Sequence, residues 1–362
     1  MPKLKNRNLI NYFLNLSNKL SEINQFVTFP NPSVGAVLTN QENISYSYTG
    51  KNGSPHAEYK LLKNQKNIIN GNLFTSLEPC CHKGKNPPCT DIIINKKIKK
   101  IYTTNKDYDS RVINKTKKIL KKNNIKIFYK KIKNESSRLH NFSSINKIPY
   151  VVAKIALSKD GYTKHKSKRL FTSELALKFA HLKRYQSDSI LIGKNTLNDD
   201  NPRLNSRVDG LNKKISKFII NPKLEFNSIN LKNQHLRNSY VFHGSKDIKK
   251  IKKFSKKFKL FYFNFKTHLP CLDILKKIYN LGHKKILIEG GINTLHRFIR
   301  SNLVNELYII RNNQKFGKHG MLKGTSVLKN KNLFLDETIT LEDDSILIYK
   351  PKYVYRDNSE YF

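Results

Sequence analysis

The chain has 362 residues, enough for two ordinary domains that each bury a sizeable core. Apolar residues make up 38% of it and aromatic residues 10%, a composition that excludes a disordered chain. No apolar run approaches the roughly 18 residues that a membrane-spanning helix needs, so no membrane partner is expected. Lysine and arginine outnumber aspartate and glutamate by 69 to 26, giving a formal net charge of +43.

This charge excess would ordinarily suggest a nucleic-acid partner. Here the lysines occur along the whole chain, together with many Asn and Ile residues, a pattern typical of A/T-rich codons. Aromatic residues are not regularly interleaved with the basic runs, as stacking on bases would require. We therefore interpret the charge as a solvated surface and expect no specific nucleic-acid partner, only non-specific, salt-dependent binding.

The cysteines indicate the compartment. Cys80, Cys81 and Cys89 lie close together, and Cys271 stands alone. A disulfide framework would spread them out, so this spacing favours a reduced compartment and a local metal or thiol role. The first 20 residues resemble an amphipathic helix rather than an export signal, so we expect a cytoplasmic protein. The sequence does not decide whether it forms a homo-oligomer.

The predicted elements of the first 145 residues alternate between strands and helices. Their order predicts an α/β sandwich around one sheet with parallel crossovers. The sequence begins with the amphipathic helix and continues with a hairpin over 33–39 and 44–50, a helix that starts after Pro55 and buries Leu61 and Leu62, a strand over 72–79, a helix from Cys89, a strand over 99–104, a basic helix, a strand over 125–129, and a polar connecting helix over 134–147.

The second predicted domain covers residues 146–362 and is a further α/β unit. It contains no internal repeat of the first. Gly290 and Gly291 separate a predicted strand from a predicted helix, where backbone amides can bind the phosphates of a dinucleotide. Its predicted strands lie within 149–161, 187–193, 214–222, 238–244, 259–265, 284–291, 306–311 and 345–355.

The stretch SPHAEYKLL (54–62) raises the first question of chemistry. Alone, His56 and Glu58 are most simply a helix start with a solvated charge pair. Cys80 and Cys89, in the arrangement P-C-x8-C, change that interpretation. One imidazole and two thiolates, with a fourth position left for water, are typical of a catalytic zinc site. Glu58 then becomes the general base and acid for a hydrolytic deamination in which zinc provides hydroxide.

Six motifs occur in order and carry a resemblance. They are FPNPSVGAVL (29–38), HAE (56–58), LEPCCHKGKNPPC (77–89), LSKDG (157–161), NTLNDDNPRLNSR (195–207) and ILIEGG (286–291). Together they resemble the bifunctional deaminase–reductases of riboflavin biosynthesis over nearly the whole chain. The resemblance implies a cytidine-deaminase-like α/β/α sandwich followed by a dihydrofolate-reductase-like α/β domain. It also implies one Zn²⁺ in the first domain, NADPH in the second, and a phosphorylated pyrimidine as the small-molecule substrate.

In the deaminase half the family pattern favours Cys80 over Cys81 as the ligand beside His56 and Cys89. Cys81 then lies next to the site, and Cys271 is expected to pack in the core. By analogy Asn31 lines the pyrimidine pocket. The eight-residue gap is characteristic, since deaminases of nucleic acids and free nucleosides typically use C-x-x-C. Within the gap, residues 82–85 either help to bind the substrate or form an exposed loop.

In the reductase half the resemblance assigns residues to two groups. Arg184 and Arg207 also suit a phosphate on physical grounds, because guanidinium groups bind phosphate bidentately. The substrate group is Arg184, Leu204, Arg207 and Glu289. The NADPH group is Ala156, Thr196, Asp200, Gly291, Ile292, Asn293, Thr294, Leu295, His296 and Arg297. No proton donor for the reduction is evident from the sequence, and neither is a preference for NADPH over NADH.

The chain departs from the family pattern mainly in the reductase half. Lys159 replaces a Leu, Leu170–Phe171 replace Trp–Ile, and a small polar residue falls on Ser167 or Lys168. In the first half, residues 107–112 keep only part of an Asp-Pro-x-Pro turn. Three alternatives stay open: a tRNA-adenosine-type deaminase with a basic accessory domain, a deaminase with a decayed reductase, and a zinc-stabilised RNA-binding protein.

Overall fold

A computed structural model describes residues 7–40, 43–65, 68, 71–84, 86–167, 171–211, 213–265 and 269–352. The chain forms two compact units, and the boundary between them falls after Lys147. The sequence places this boundary after residue 145. Leu170, Lys168 and Lys85, which the sequence analysis singles out, lie outside the described residues. Within the described ranges, no helix is both long and apolar enough to cross a membrane.

The first unit contains a five-stranded sheet in the order β2-β1-β3-β4-β5. Strand β1 is antiparallel to β2 and β3, whereas β3, β4 and β5 are parallel. The strands are β1 (Gly35–Thr39), β2 (Ile44–Tyr48), β3 (Asn72–Thr75), β4 (Lys100–Thr103) and β5 (Lys126–Tyr129), and the helices are α1 (Arg7–Glu22), α2 (Ala57–Leu62), α3 (Cys89–Asn95), α4 (Lys115–Lys122) and α5 (Glu135–Asn146).

Alternation along the strands distributes apolar side chains to both faces of this sheet. On β1, Val37 packs with Phe13 and Leu14 of α1, whereas Ala36 and Leu38 belong to the core on the other face. Leu61 and Leu62 of α2 and Ile93 of α3 fill that second core. The first unit is therefore the predicted α/β/α sandwich.

The predicted strand over 72–79 is too long. Strand β3 ends at Thr75, because the chain then turns out of the ladder and Glu78 N–H donates to the Asn105 carbonyl oxygen. Cys80 consequently lies on an irregular loop rather than directly after the strand. This loop can approach the helix starts, which a continuing strand could not do.

The second unit contains a nine-stranded sheet in the order β11-β10-β9-β8-β12-β6-β13-β16-β15, and β7 pairs with β14 beside it. The strands are β6 (Tyr150–Leu157), β7 (Tyr162–His165), β8 (Ser189–Gly193), β9 (Ser216–Ile220), β10 (Tyr240–His243), β11 (Lys259–Tyr262), β12 (Lys285–Glu289), β13 (Glu306–Asn312), β14 (Gly320–Lys323), β15 (Leu333–Leu341) and β16 (Asp344–Pro351), and the helices are α6 (Glu174–Tyr185), α7 (Lys194–Asp200), α8 (Ser228–Lys232), α9 (Ile248–Ser255), α10 (Cys271–Asn280) and α11 (Ile292–Arg300).

The strand order places the second site. Strands β8, β9, β10 and β11 follow one another outward, and the chain then returns so that β12 lies between β8 and β6. Strands β6, β8, β9 and β12 are parallel, so their carboxyl ends share one edge of the sheet. Such a reversal of strand order opens a crevice at that edge, where ligands of open α/β sheets bind.

Strand β15 is absent from the sequence prediction because most of its side chains are exposed.

Candidate active sites

The first site is a compact group of three potential metal ligands. His56 Nδ1 lies 3.4 Å from Cys80 Sγ and 3.4 Å from Cys89 Sγ. The three ligand atoms all lie within 4.8 Å of one another. In the parts of the chain that the structure describes, no other group of three His, Cys, Asp or Glu side chains is arranged to hold a metal.

Two helix starts and one loop position these ligands. His56 is the residue that precedes α2, Cys89 is the first residue of α3, and Cys80 lies on the loop after β3. The Cys89 backbone N–H donates to Cys80 Sγ at 3.4 Å, and the Thr90 N–H donates to the Cys80 carbonyl oxygen. The start of α3 therefore holds one ligand and anchors another.

The chemistry of this donor set fits zinc. One imidazole nitrogen and two sulfurs converge here, and a zinc ion held by these three residues would keep a fourth coordination position for water, as in catalytic zinc sites. Hydrogen bonding from the Cys89 and His56 side chains holds the pKa of Cys80 well below its ordinary value. Cys80 is therefore biased toward the thiolate, which is the form that binds a metal.

Glu58 lies beside these ligands in a buried position. It is the second residue of α2 and only 3% exposed, so the interpretation as a solvated charge pair is wrong. Burial, reinforced by the nearby Cys80 sulfur, raises the pKa of Glu58 to about 6. A carboxyl group with a pKa near neutrality can both accept and return a proton.

The loops around this site are tied together by side-chain amides. Asn31 Nδ2 donates to the Gly53 carbonyl oxygen at 3.0 Å, and Asn86 Nδ2 donates to the same oxygen at 3.5 Å. Ser54 Oγ also donates to Asn86 Oδ1 at 2.7 Å. Asn31 and Asn86 therefore hold the turn that leads into His56. The role of Asn31 in a pyrimidine pocket stays a prediction.

The remaining cysteines and the long gap are placed as follows. Cys81 lies outside the ligand group, with its Sγ 3.5 Å from the carbonyl oxygen of Arg111. Cys271 is buried at the first residue of α10, so its predicted core position is confirmed. In the gap, Lys83 and Gly84 are exposed and His82 is half-buried.

A buried polar network that was not predicted from the sequence lies behind Cys80. Glu78 accepts hydrogen bonds from the Tyr129 hydroxyl at 2.7 Å and from the Asp107 N–H at 3.2 Å. Asp107 Oδ1 lies 2.9 Å from His140 Nε2, and both side chains are buried. This network supports the loop that carries Cys80. In the sequence, the only indication of this network was the position of Glu78 two residues before Cys80, in the order Glu-Pro-Cys.

The second site is a cavity of about 570 Å³ at the carboxyl ends of β6, β8, β9 and β12. Leu295 packs in the core, and His296 lines a neighbouring groove with Arg300, so neither residue lines this cavity. Eight residues of the predicted NADPH group line it: Ala156, Thr196, Asp200, Gly291, Ile292, Asn293, Thr294 and Arg297.

The glycines in this cavity fit a dinucleotide. Gly290 and Gly291 have φ values of 81° and 69°, which favour glycine. A Cβ on Gly290 would lie 2.6 Å from Thr196 Cγ2, so only glycine lets the backbone pass this close to α7. Gly290 and Gly291 therefore present backbone without side chains to the cavity at the start of α11, where backbone amide groups can bind a pyrophosphate.

A charged group lies next to this cavity. Arg184 donates to Glu289 through Nε at 2.9 Å and Nη2 at 2.6 Å, and both side chains are largely buried. Burial alone would raise the pKa of Glu289, but the charges of Arg184 and Lys154 lower it to about 2. Lys154 on β6 lines the cavity, and desolvation lowers its pKa. Lys154 was not among the residues predicted from the sequence.

The two arginines that were predicted to bind a phosphate differ in the groups that contact their guanidinium groups. Glu289 neutralises Arg184, whereas the Arg207 guanidinium lies against His181, with Nε 3.2 Å from His181 Nε2. Burial and the charges of Arg184 and Arg207 lower the pKa of His181 to about 4, so this ring is neutral near pH 7. Leu204, the fourth predicted substrate residue, is buried.

Comparison with known proteins agrees with this division into two sites. Residues 8–105 match the family model described as the cytidine and deoxycytidylate deaminase zinc-binding region. Residues 149–353, more than half of the chain, match the RibD C-terminal domain.

Curated relatives match both halves together. The riboflavin biosynthesis protein RibD of Aquifex aeolicus is 30% identical over 309 residues, which cover 82% of this chain and 85% of that protein. RibD of Haemophilus influenzae is 27% identical over 374 residues, covering 94% of this chain and 97% of that protein.

Solved structures show the same fold. RibD of Acinetobacter baumannii superposes with a TM-score of 0.83 at 21% identity, covering 95% of this chain and 99% of that one. A Thermotoga maritima deaminase/reductase superposes with a TM-score of 0.78 at 22% identity and the same coverage. The predicted fold class, a cytidine-deaminase-like unit followed by a dihydrofolate-reductase-like unit, is confirmed. The chain belongs to the RibD family of bifunctional riboflavin biosynthesis deaminases and reductases.

Proposed function

We propose that the chain catalyses two successive reactions on one substrate. The first removes the 2-amino group of 2,5-diamino-6-ribosylamino-4(3H)-pyrimidinone 5′-phosphate by hydrolysis. The second reduces the ribosyl side chain of the product to ribityl with NADPH. The observation that carries this proposal is the presence of both constellations in one chain: three converging metal ligands beside buried Glu58, and a glycine-lined cavity beside Lys154.

In the deamination, His56, Cys80 and Cys89 would hold zinc. Zinc, when bound there, would supply a Lewis acid that lowers the pKa of a bound water molecule toward neutrality. Glu58 takes the proton that leaves the water and gives it to the departing amine, which leaves as ammonia. Its burial next to Cys80 favours this role, because a carboxyl group with a raised pKa readily carries the proton between the two steps.

In the reduction, Gly290 and Gly291 with the start of α11 would hold the cofactor. NADPH, when bound, would supply the hydride that is added at C1′ of the ring-opened imine form of the ribosyl group, and the electron pair of the C1′=N bond would pass to the nitrogen. Lys154 gives that nitrogen a proton, because Lys154 lines the cavity and desolvation makes its ammonium group a better acid. The Arg184–Glu289 pair lies beside Lys154, and Glu289 attracts its charge.

The substrate phosphate is assigned to Arg207 rather than to a fork of two arginines. Arg184 is already paired bidentately with Glu289, which satisfies its guanidinium. Arg207 is exposed and lies against the neutral His181, so its charge is not compensated there. An uncompensated guanidinium is a strong ligand for a phosphate monoester.

The departures from the family pattern raise the alternative of a decayed reductase, and the surroundings of Lys159 support an active one instead. Lys159 is exposed, and the turn around it keeps its hydrogen bonds. Asp160 accepts hydrogen bonds from Ser158 Oγ at 2.6 Å and from the Gly317 N–H at 2.8 Å. The replaced leucine therefore lies at a position that tolerates a charge.

Coupled turnover tests the proposal. Purified protein is given the diaminopyrimidinone phosphate with and without NADPH, and ammonia and NADPH are followed together. We expect ammonia release in both cases and one NADPH consumed per ammonia when the cofactor is present. Ammonia release without any NADPH consumption would support the deaminase-only alternative. Loss of both activities, with a relative of known activity as the positive control, would contradict the proposal.

A further inference from the structure

A group of lysines lies at one end of the reductase cavity. Lys194, the first residue of α7, and Lys223, which follows β9, both line it. Lys194 Nζ is bonded to Glu225 Oε2 at 2.5 Å. The hydrogen bond from Lys194 and the charges of Lys223 and Lys250 lower the pKa of Glu225. Three ammonium groups thus surround one carboxylate, leaving an excess of positive charge at this rim.

The order of strands tells which part of a dinucleotide reaches this end. From β6 the cavity passes the ends of β12 and β8 to β9, which is three inter-strand spacings or about 14 Å. Gly290, Gly291 and the start of α11 lie midway, where the pyrophosphate fits. Lys154 and Ala156 mark the β6 end, beside Arg184 and Glu289.

The β9 end therefore receives the adenosine. Its lining is apolar where a base would lie, with Ile220, Pro222, Phe265 and Leu269, and basic where the ribose would reach the rim. Dinucleotide sites that accept NADH place a carboxylate on the ribose 2′-hydroxyl, whereas sites for NADPH place a cation there. Here Glu225, the carboxylate next to these lysines, is bonded to Lys194 and is outnumbered by lysines. The two carboxylates that line the cavity, Asp199 and Asp200, are paired with Lys164.

We propose that Lys223 and Lys194 bind the 2′-phosphate of NADPH and so determine the preference for NADPH over NADH. Lys223 has no bonded carboxylate partner among the described residues and makes the larger contribution. Glu225 holds Lys194 at the rim and weakens phosphate binding by its charge. This inference rests on the proposed reductase function, because it concerns the cofactor of that reaction.

Nucleotide binding tests the inference without turnover. The dissociation constants of NADPH and NADH are measured by the fluorescence of the reduced nicotinamide, with wild type and variants. We expect Lys223→Ala to weaken NADPH binding about tenfold, or about 1.4 kcal/mol, and to leave NADH binding within about twofold. Lys223→Arg should retain the preference. Glu225→Gln should tighten NADPH binding several-fold, because it removes the opposing charge.

A matched control is Lys252→Ala. Lys252 is an exposed lysine on α9 outside the cavity lining, and its removal should change neither constant. An unchanged ratio of the two constants in Lys223→Ala and in a Lys194→Ala/Lys223→Ala double variant would overturn the inference. An equal loss of NADPH and NADH binding would also overturn it, since the lysines would then not read the 2′-phosphate. Wild type that binds neither nucleotide would instead overturn the reductase function itself.

Discussion

The two candidate sites are built in different ways. The proposed metal ligands of the first unit lie between His56 and Cys89, a separation of 33 residues, and converge at two helix starts and one loop. The site of the second unit draws on residues from Lys154 to Leu322, and a crevice between parallel strands assembles it. A site of the first kind is encoded in a short motif. A site of the second kind exists only once the sheet has formed.

The two sites also use burial differently. In the first unit, burial raises the pKa of Glu58, the proposed proton carrier, to about 6. In the second unit, burial alone would neutralise Glu289, and the charges of Arg184 and Lys154 keep it ionised instead. The deaminase constellation therefore depends on a few local groups, whereas the reductase constellation depends on a balance of charges across the fold.

The largest expected effect follows from removing a metal ligand. Cys89→Ser should reduce the zinc content from about one per chain to a small fraction of that, because a hydroxyl is a poor zinc ligand. Deamination should fall by about 10³-fold or more, whereas reduction of the deaminated substrate should persist. Metal analysis and the two separate assays measure this. Cys81→Ser is the matched control, and zinc loss in that variant with full zinc in Cys89→Ser would refute the assigned ligands.

A smaller effect is expected from Lys154→Met, which keeps the length of the side chain and removes the proton donor. We expect kcat for the reduction to fall by about 10²-fold, the lower end of the range for general acid catalysis, while NADPH still binds and deamination is unchanged. Stopped-flow measurement of NADPH oxidation gives kcat. Lys159→Met changes an exposed lysine two residues beyond β6 and should be silent. Equal rates in Lys154→Met and wild type would exclude Lys154 as the donor.

The smallest effect is expected from Gly290→Ala. The new Cβ would lie 2.6 Å from Thr196 Cγ2 in a backbone conformation with φ of 81°, so the turn must shift. We expect NADPH binding about tenfold weaker and a loss of about 1–3 kcal/mol in the free energy of unfolding. Gly282→Ala is the control, because Gly282 also has a positive φ but a Cβ there would meet no atom within 4 Å. Similar NADPH binding in both variants would show that the Gly290 turn does not contact the cofactor.

The sequence was sufficient to predict the features that depend on the spacing of residues close together in the chain. The hairpin, the helix starts at His56 and Cys89, and the distinctive gap before Cys89 could all be read before the fold was known. The end of β3 could not, because the Glu78–Asn105 hydrogen bond that accompanies the turn is a tertiary contact.

The charged groups of the reductase site could not be predicted from the sequence, because their pairing also depends on tertiary contacts. Arg184 and Glu289 are 105 residues apart, and their ion pair appears only when α6 packs beside β12. The chain contains lysines along its whole length, so the residue type of Lys154 and Lys223 does not by itself indicate a functional role. Only their placement at the cavity distinguishes them from solvated lysines.

We propose that the two sites of this chain act in order on one substrate, and a single variant, Glu58→Gln, separates them. The variant is supplied with NADPH and with either the diaminopyrimidinone phosphate or its deaminated product. We expect it to retain zinc, to release ammonia at least about 10²-fold more slowly, and to oxidise NADPH at the wild-type rate with the deaminated product but only slowly with the original substrate. Ammonia release at the wild-type rate, or loss of NADPH oxidation with the deaminated product, would show that the two sites do not act in this way.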